Sequence, residues 1–510
     1  MWLKRGGRTI SVEVIPQRYK LRKDSDVTVN ISNQMEHGTV NKIPKFPRAE
    51  IDLDSYIATN TKKIKGIHVR RFKENNFKLE MLSQFTTGFL SSSNITLSPI
   101  EAFVYKGNTT SLSTPSISKP SHTITLPNLN HTLNCAQLQA VKSSSGTLSV
   151  VEGPPGTGKT EVIAATVLQV MKAGKGVLLI SETNNSVRRI YDSIIRAGVA
   201  HTRDIDLLVS YDFYQQHKDD YSKKDTWTKD YYKRIVLCTV TKALLFLKKT
   251  LKMYRSQSGQ FVPRDLLILD EATMTSTLTF YHLLACSKDI PRIMVLGDTK
   301  QRRPFSVQNT YTESCMDLIL NMKEKTNSPL ILKTFLNIQY RMQPDVANLV
   351  SKVFYDNKIQ NAKPWNKERN LHFQHVNGQV KIKGNSRYAR NESIAVLKLI
   401  SKLRIDHPRA NIVVLTFYQA QVEDITLTNS QLRITERFRI KTVDSYQGLE
   451  ADIIVLCTCA YDSTVPDHIE NRFRACVSLS RSKSKLYIVG NRGTLVNSNL
   501  WLEILNLIEK

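Results

Sequence analysis

Hydrophobic and polar positions change rhythm along this chain of 510 residues. Near the start Ile10, Val12 and Val14 alternate with polar neighbours, as do Val27, Val29 and Ile31, and Phe77, Leu79 and Met81. A period of two marks strands with one wet face, so residues 1–106 predict a small β-rich accessory domain, with a barrel as one candidate form. Residues 107–127 turn to Ser, Thr and Pro, as in Ser118-Lys119-Pro120-Ser121, and read as a linker. From Leu133 onward short apolar runs alternate with helical spacing: strands at 148–152, 176–181, 234–239, 266–269 and 292–296, and a helix over 161–172 with Ile163, Val167, Val170 and Met171 on its inner face. A second series opens near Leu330 and includes strands at 412–415, 453–457 and 486–489. Alternation of this kind predicts α/β architecture: two parallel-sheet lobes in tandem, 128–325 and 326–510, with ligands at the carboxyl ends of strands. An insertion near 201–234 mixes Tyr211, Phe213, Tyr214, Tyr221, Trp227, Tyr231 and Tyr232 with Lys and Asp. Such aromatics either stack on unpaired bases or pack on the lobe beneath, and both readings stand.

Composition narrows the partners. No apolar run approaches the ~18 residues of a membrane span. Residues 1–7 lead into an alternating strand instead of an apolar signal core, and the 7 cysteines form neither a C-x-x-C pair nor a disulfide framework. Together these predict a reduced, intracellular protein of nucleus or cytoplasm, with no membrane partner. With 72 Lys and Arg against 45 Asp and Glu, the net charge is +27. Such a field attracts a polyanion, and counterion release makes nucleic acid the natural one.

Between a strand and a helix stands Gly153-Pro154-Pro155-Gly156-Thr157-Gly158-Lys159-Thr160, which fits G-x-x-x-x-G-K-[ST]. Its small residues let successive backbone NH groups close around phosphate at a helix start. Lys159 then reaches the β and γ phosphates of ATP, and the Thr160 hydroxyl binds Mg²⁺. The matching carboxylates follow the apolar run 266–269: Asp270 holds Mg²⁺, and Glu271 positions or deprotonates the attacking water.

Further motifs carry a family resemblance. Asp270-Glu271-Ala272-Thr273, Gly297-Asp298-Thr299-Lys300-Gln301, Gln339-Tyr340-Arg341-Met342-Gln343-Pro344 and Val443-Asp444-Ser445-Tyr446-Gln447-Gly448-Leu449-Glu450 resemble motifs II, III, IV and V of the superfamily 1 helicases. Val477-Ser478-Leu479-Ser480-Arg481-Ser482, with Gly490-Asn491 beyond, resembles motif VI. The likeness spans about Leu133 to Asn491 and is closest in kind to the branch of the nonsense-mediated-decay helicase, senataxin and Aquarius.

That resemblance implies two RecA-like lobes with ATP and Mg²⁺ between them. It implies that Gln137 reads the adenine edge, Tyr340 stacks on the base, Gln301 senses the γ-phosphate and Glu450 contacts the nucleotide. Arg341 and Arg481 are implied as arginine fingers from the second lobe, while Thr183, Asn184, Thr239 and Thr442 are implied to touch strand phosphates. The activity implied is ATP-driven movement 5′ to 3′ on single-stranded RNA or DNA with duplex unwinding. An ATPase clamp or ribonucleoprotein remodeller that separates no duplex is the alternative. A nonenzymatic binding module would have lost Lys159, Glu271 or Arg481, and all three are present. Several positions depart from the family pattern: Arg188 stands for a frequent Asp, Met274 for Gln, Arg302-Arg303 for Leu-Pro, Phe417 for Pro and Cys476 for Asn. Either Arg302 and Arg303 alter the coupling of hydrolysis to strand movement, or they add a basic contact near the cleft.

Overall fold

The computed structural model describes six strands within residues 2–69 by their backbone, then Ile100, Val104, 124–128 and 132–509, apart from 211–212, 214–232, 247–252, 256–257, 305–312, 327–329, 366–367 and 433–437. The chain divides into two units, Met1–Ile95 and Thr96–Lys510. In the first, all six strands are antiparallel, in the order Trp2–Leu3, Thr9–Glu13, Arg48–Leu53, Gln34–Lys45, Asp26–Ile31 and Ile64–Val69. Ile10, Val12, Val27, Val29 and Ile31 fall in these strands; Phe77, Leu79 and Met81 lie outside the described residues, as does most of the expected linker.

The second unit holds two α/β lobes. The first has a seven-stranded sheet in the order Ile331–Phe335, Leu148–Glu152, Arg292–Gly297, Leu266–Asp270, Val177–Ser181, Ile235–Thr239 and Ile205–Leu208, parallel at every pairing. Its central strands are buried along their whole length, as apolar runs on both faces demand. Register then fixes where the chemistry emerges. Asp270 pairs with Ser181, Gly297 with Glu152 and Thr239 with Ser181, so the ends that lead to the glycine loop, to Asp270-Glu271 and to Asp298 share one edge.

Two expectations shift. Ile331–Phe335, read as the opening of the second lobe, pairs in parallel with Leu148–Glu152 and belongs to the first sheet. Within the expected insertion, Ile205–Leu208 is that sheet's edge strand and Phe213 packs on the first lobe's core. The other aromatics of the insertion lie outside the described residues.

The second lobe's sheet is also parallel, in the order Leu371–His375, Ser482–Gly490, Ala451–Cys457, Ile412–Thr416 and Arg439–Thr442. Glu450 and Arg481 immediately precede two of its strands. The first lobe therefore offers carboxyl ends of strands to the seam, and the second offers amino ends.

Phe417, where the family pattern has Pro, finds its reason in this lobe's core. Its ring meets Trp501 edge-on at 6.5 Å, and the Trp501 indole NH donates to Ile469 O at 3.1 Å. Trp501 is fully buried. Its replacement by Ala removes a large ring and orphans a carbonyl, so Trp501→Ala should cost about 3–5 kcal/mol. Trp501→Phe should cost clearly less. Urea denaturation followed by circular dichroism checks both, and equal midpoints for wild type and Trp501→Ala would contradict this packing.

Candidate active site

A cavity of about 560 Å³ opens along the seam between the lobes. Residues 154–161 form one wall with Asp270, Glu271, Asp298 and Gln301; Tyr340, Arg341, Glu450 and Arg481 form the other. The glycine loop needs its glycines for two distinct reasons. Gly156 and Gly158 both take positive φ, 75° and 83°, a region that side chains other than glycine's rarely adopt. A Cβ at Gly156 would also stand 2.7 Å from Arg341 Cβ, and one at Gly158 would overlap Gln137 Nε2. The loop thus touches the opposite lobe directly, with Tyr340 NH donating to Gly156 O at 2.8 Å.

Lys159 starts the helix Lys159–Lys172, and its Nζ donates to the carbonyls of Gly153 and Pro154. Burial lowers its pKa, while Asp298 and Asp270 pull the other way. Asp270 is 3% exposed, and burial raises its pKa against the pull of Arg189 and Lys159. Glu271 turns into the left-handed region, φ 55°. Asp270 Oδ1 and Glu271 Oε2 are buried without a hydrogen-bond partner. Unpartnered anionic oxygens beside the Thr160 hydroxyl and a helix amino end fit a phosphate-bound divalent cation. Among the described residues no cluster of His, Cys, Asp or Glu would hold a metal unaided.

Asp298 organises the sensor side. It accepts from Gln301 Nε2 at 2.6 Å and from Tyr355 OH at 2.7 Å. Gln301 Oε1 in turn accepts from Arg481 Nη2 at 3.2 Å. Arg481 is 2% exposed, its other bonds go to Val477 O and Ser480 Oγ, and burial lowers its pKa to about 10, with Arg341 adding to the effect. Arg341 instead holds a carboxylate: its Nε donates to Glu450 Oε2 at 2.6 Å and its Nη1 to Ser480 O at 3.1 Å. Burial opposes ionisation of Glu450, but Arg341 and Lys483 outweigh it and hold the carboxyl at about 2.

Lys159, Thr160, Asp270, Glu271, Gln301, Tyr340, Arg341, Glu450 and Arg481 therefore meet in one cleft, with Pro154, Pro155, Gly156, Thr157 and Gly158 lining it. Gln137 and Gly153 stand behind the loop. Gln137 is taken up by a capping box at the start of Cys135–Ser143: it exchanges bonds with Asn134, and its Nε2 donates to Thr157 O. Tyr340 is 45% exposed, and its OH accepts from Asn134 Nδ2. The four residues expected at the nucleic-acid strand do not line this cleft, and each makes local bonds. Thr183 caps Asn184–Arg196, Asn184 bonds Ser210, Thr239 accepts from Lys242 NH, and Thr442 accepts from Ser445 NH.

Sequence reasoning missed Arg189, whose Nη2 lies 3.5 Å from Glu271 Oε1 and 3.7 Å from Asp270 Oδ2. It also passed over Tyr355 and gave Asp298 no role. The departure at Arg188, one residue before Arg189, was the nearest available signal.

Fold and site define a P-loop protein of two RecA-like lobes. Two family profiles, each described as an AAA domain, match residues 137–306 and 311–493. Regulator of nonsense transcripts 1 of Caenorhabditis elegans is 27% identical over 427 residues, 73% of this chain and 39% of that protein. DNA polymerase alpha-associated DNA helicase A of Saccharomyces cerevisiae is 24% identical over 454 residues, 71% of this chain and 65% of that one. A solved arterivirus nonstructural protein 10 helicase in complex with DNA aligns at TM-score 0.39 and 18% identity, covering 71% of this chain and 64% of its own. Over these spans the chain is similar to superfamily 1 helicases that include regulators of nonsense transcripts and the helicase Sen1 of Schizosaccharomyces pombe. It spans about two fifths of the length of the Caenorhabditis elegans relative, 39%.

The two cleft arginines should separate on mutation. Arg481→Ala empties a buried site and orphans buried acceptors, so it should lower stability of the ligand-free chain by about 1–3 kcal/mol. Arg341→Ala leaves Glu450 its Lys483 partner at 2.8 Å and should cost less. Thermal melts of both variants test this; an Arg481→Ala melt at the wild-type temperature would contradict the buried placement.

Proposed function

We propose that this chain hydrolyses ATP between its two lobes and uses the turnover to move 5′ to 3′ along one strand of RNA or DNA, unwinding duplex ahead of it. One observation carries the reading. The cleft brings together a buried arginine that meets only neutral acceptors and two buried carboxylate oxygens that meet no donor. Such a site is complementary to a polyphosphate and its cation at once.

In this mechanism the NH groups of the glycine loop and Lys159 hold the β and γ phosphates. Thr160 and Asp270 hold Mg²⁺, which when bound neutralises charge developing on the phosphoryl oxygens. Glu271 orients the attacking water and takes its proton. Gln301 reports on the γ position to Arg481 through the bond they already share. Arg341 and Arg481 stabilise transition-state charge from the second lobe, a role worth about 10³- to 10⁵-fold elsewhere. Tyr340 offers its ring to the base; Gln137 offers its amide once released from Thr157 O, and Glu450 contacts the nucleotide. Thr183, Asn184, Thr239 and Thr442 contact strand phosphates, which gives grip without base reading. Residues 1–106 are an accessory domain, and the protein works inside the cell.

Two tests follow from the division of roles. Lys159→Ala should lose nucleotide binding and turnover together, whereas Glu271→Gln should keep tight ATP binding and lose turnover by about 10²-fold or more. Hydrolysis by Glu271→Gln at the wild-type rate would sink the assignment of the water-positioning carboxylate.

Polarity and grip are tested with partial duplexes bearing either a 5′ or a 3′ single-stranded tail. Displacement should favour the 5′-tailed substrate, and affinity should fall linearly on a log–log plot against salt. ATP hydrolysis without displacement of either duplex would replace the helicase by a clamp, and salt-independent binding would refute the phosphate grip.

A further inference from the structure

The loop after the strand Arg439–Thr442 is held to the first lobe at three points among the described residues. Arg302 Nη1 donates to Asp444 O at 3.4 Å, Gln447 Nε2 lies 3.5 Å from Met274 Sδ, and Arg189 Nη1 donates to Gly448 O at 2.5 Å. Of these, only Arg189 also faces the hydrolytic carboxylates. Its Nη2 lies 3.5 Å from Glu271 Oε1 and 3.7 Å from Asp270 Oδ2, with Ser186 Oγ at 3.4 Å. A single planar group therefore spans from the second lobe's loop to the residue assigned to the attacking water.

The placement of Arg189 in the chain adds to this. It lies in the helix Asn184–Arg196, which Thr183 caps, and Thr183-Asn184 is one of the stretches assigned above to strand phosphates. Thr442, another, begins the loop that ends at Gly448. Arg189 thus joins both strand-facing stretches to Glu271. A guanidinium suits this place because its rigid fork holds two partners in fixed relation, which a lysine ammonium cannot do.

We propose that Arg189 is the positioning residue through which strand binding sets the hydrolytic carboxylates. When the loop 442–448 shifts against the first lobe, the Gly448 carbonyl draws one arm of the guanidinium and the other arm moves relative to Glu271. With the loop seated, Glu271 is held in its water-orienting position; with the loop displaced, the carboxylate loses that restraint. The inference rests on the strand-stimulated hydrolysis proposed above. It adds a residue to those assigned to the cleft above.

The test uses the full chain with oligo(dT) and oligo(U) 20-mers as probes. Three quantities are read: the ratio of hydrolysis with strand to hydrolysis without it, the strand affinity with and without a non-hydrolysable ATP analogue, and the thermal melt. For Arg189→Ala the stimulation ratio should fall by about tenfold, a typical coupling between sites. The nucleotide-dependent change in strand affinity should vanish with it, while the melt shows a folded protein. Arg189→Lys restores a positive charge beside the carboxylates without the fork, so it should recover part of the basal rate and none of the coupling.

Gly448→Ala approaches the contact from the other lobe, because a Cβ there would overlap Arg189 Nη1. Its loss of coupling should not add to that of Arg189→Ala in the double variant. Full stimulation and intact affinity linkage in Arg189→Ala, or additive losses in the double variant, would overturn the inference. A wild type that hydrolyses no ATP with either strand would instead overturn the function proposed above. If that wild type still shows nucleotide-dependent strand affinity that Arg189→Ala abolishes, Arg189 still couples the loop 442–448 to the nucleotide site, and only the consequence for hydrolysis falls.

Discussion

An ionised carboxylate inside a protein is tolerable only where cations or hydrogen bonds replace the water it has lost, and each uncompensated ion costs several kcal/mol. The strand Leu266–Asp270 creates this problem by its composition: four apolar residues bury themselves and carry Asp270 inward with them. Lys159 and Arg189 supply charge, but Asp270 Oδ1 still lacks a partner. The rest of the seam is arranged around the same deficit. Asp298 is satisfied by Gln301 and Tyr355, Glu450 by Arg341 and Lys483, while the buried Arg481 is left to neutral oxygens. Neither lobe contains the full set. The seam is therefore where this chain concentrates charge that only a ligand carrying both signs can complete.

Much of this was legible beforehand, because the physics responsible is local. Apolar runs of four or five residues identify strands buried on both faces, and a glycine loop placed between a strand and a helix identifies its own ligand. What was not legible depended on long-range pairing. Ile331–Phe335 has the composition of any strand, and nothing in its residues tells whether it joins the preceding or the following sheet. Gln137 follows Asn134 at the spacing of a capping box, so the same side chain suited to a base edge is equally suited to a helix start, and in this structure the helix start holds it. The strand-facing threonines show the same ambiguity. A hydroxyl that caps a helix can also accept a second contact, so their caps neither require nor exclude a phosphate.

The departures from the family pattern gain meaning from where they gather. Arg302 crosses to Asp444, and Arg303 lies over the Phe473 ring at 5.2 Å while pairing with Asp317. Met274 meets Gln447, and Cys476 lies 3.4 Å from the Tyr355 hydroxyl that serves Asp298. Each therefore lies at or beside the surface between the lobes. Substituting Leu-Pro by two arginines exchanges apolar packing for long, polar reaches, which hold their partners over a wider range of separations. Contacts of that kind suit lobes that change their spacing.

The two cleft arginines show how such a seam can respond without a large barrier. Arg341 is bound to Glu450 at 2.6 Å, so drawing it toward an anion would ordinarily leave a half-buried carboxylate exposed to the full loss of its partner. Lys483 removes that difficulty, since it already contacts the other oxygen of Glu450 at 2.8 Å and keeps the carboxylate paired when Arg341 moves. Arg481 needs no such exchange because it has no carboxylate to leave: its bonds to Val477 O, Ser480 Oγ and Gln301 Oε1 orient the guanidinium without neutralising it. One arginine is thus mobile with a substitute waiting, and the other is fixed with its charge unspent. A phosphoryl group entering from the first lobe would meet the fixed charge at once and recruit the mobile one by competition with Glu450, an order of events set by which cation already has a partner.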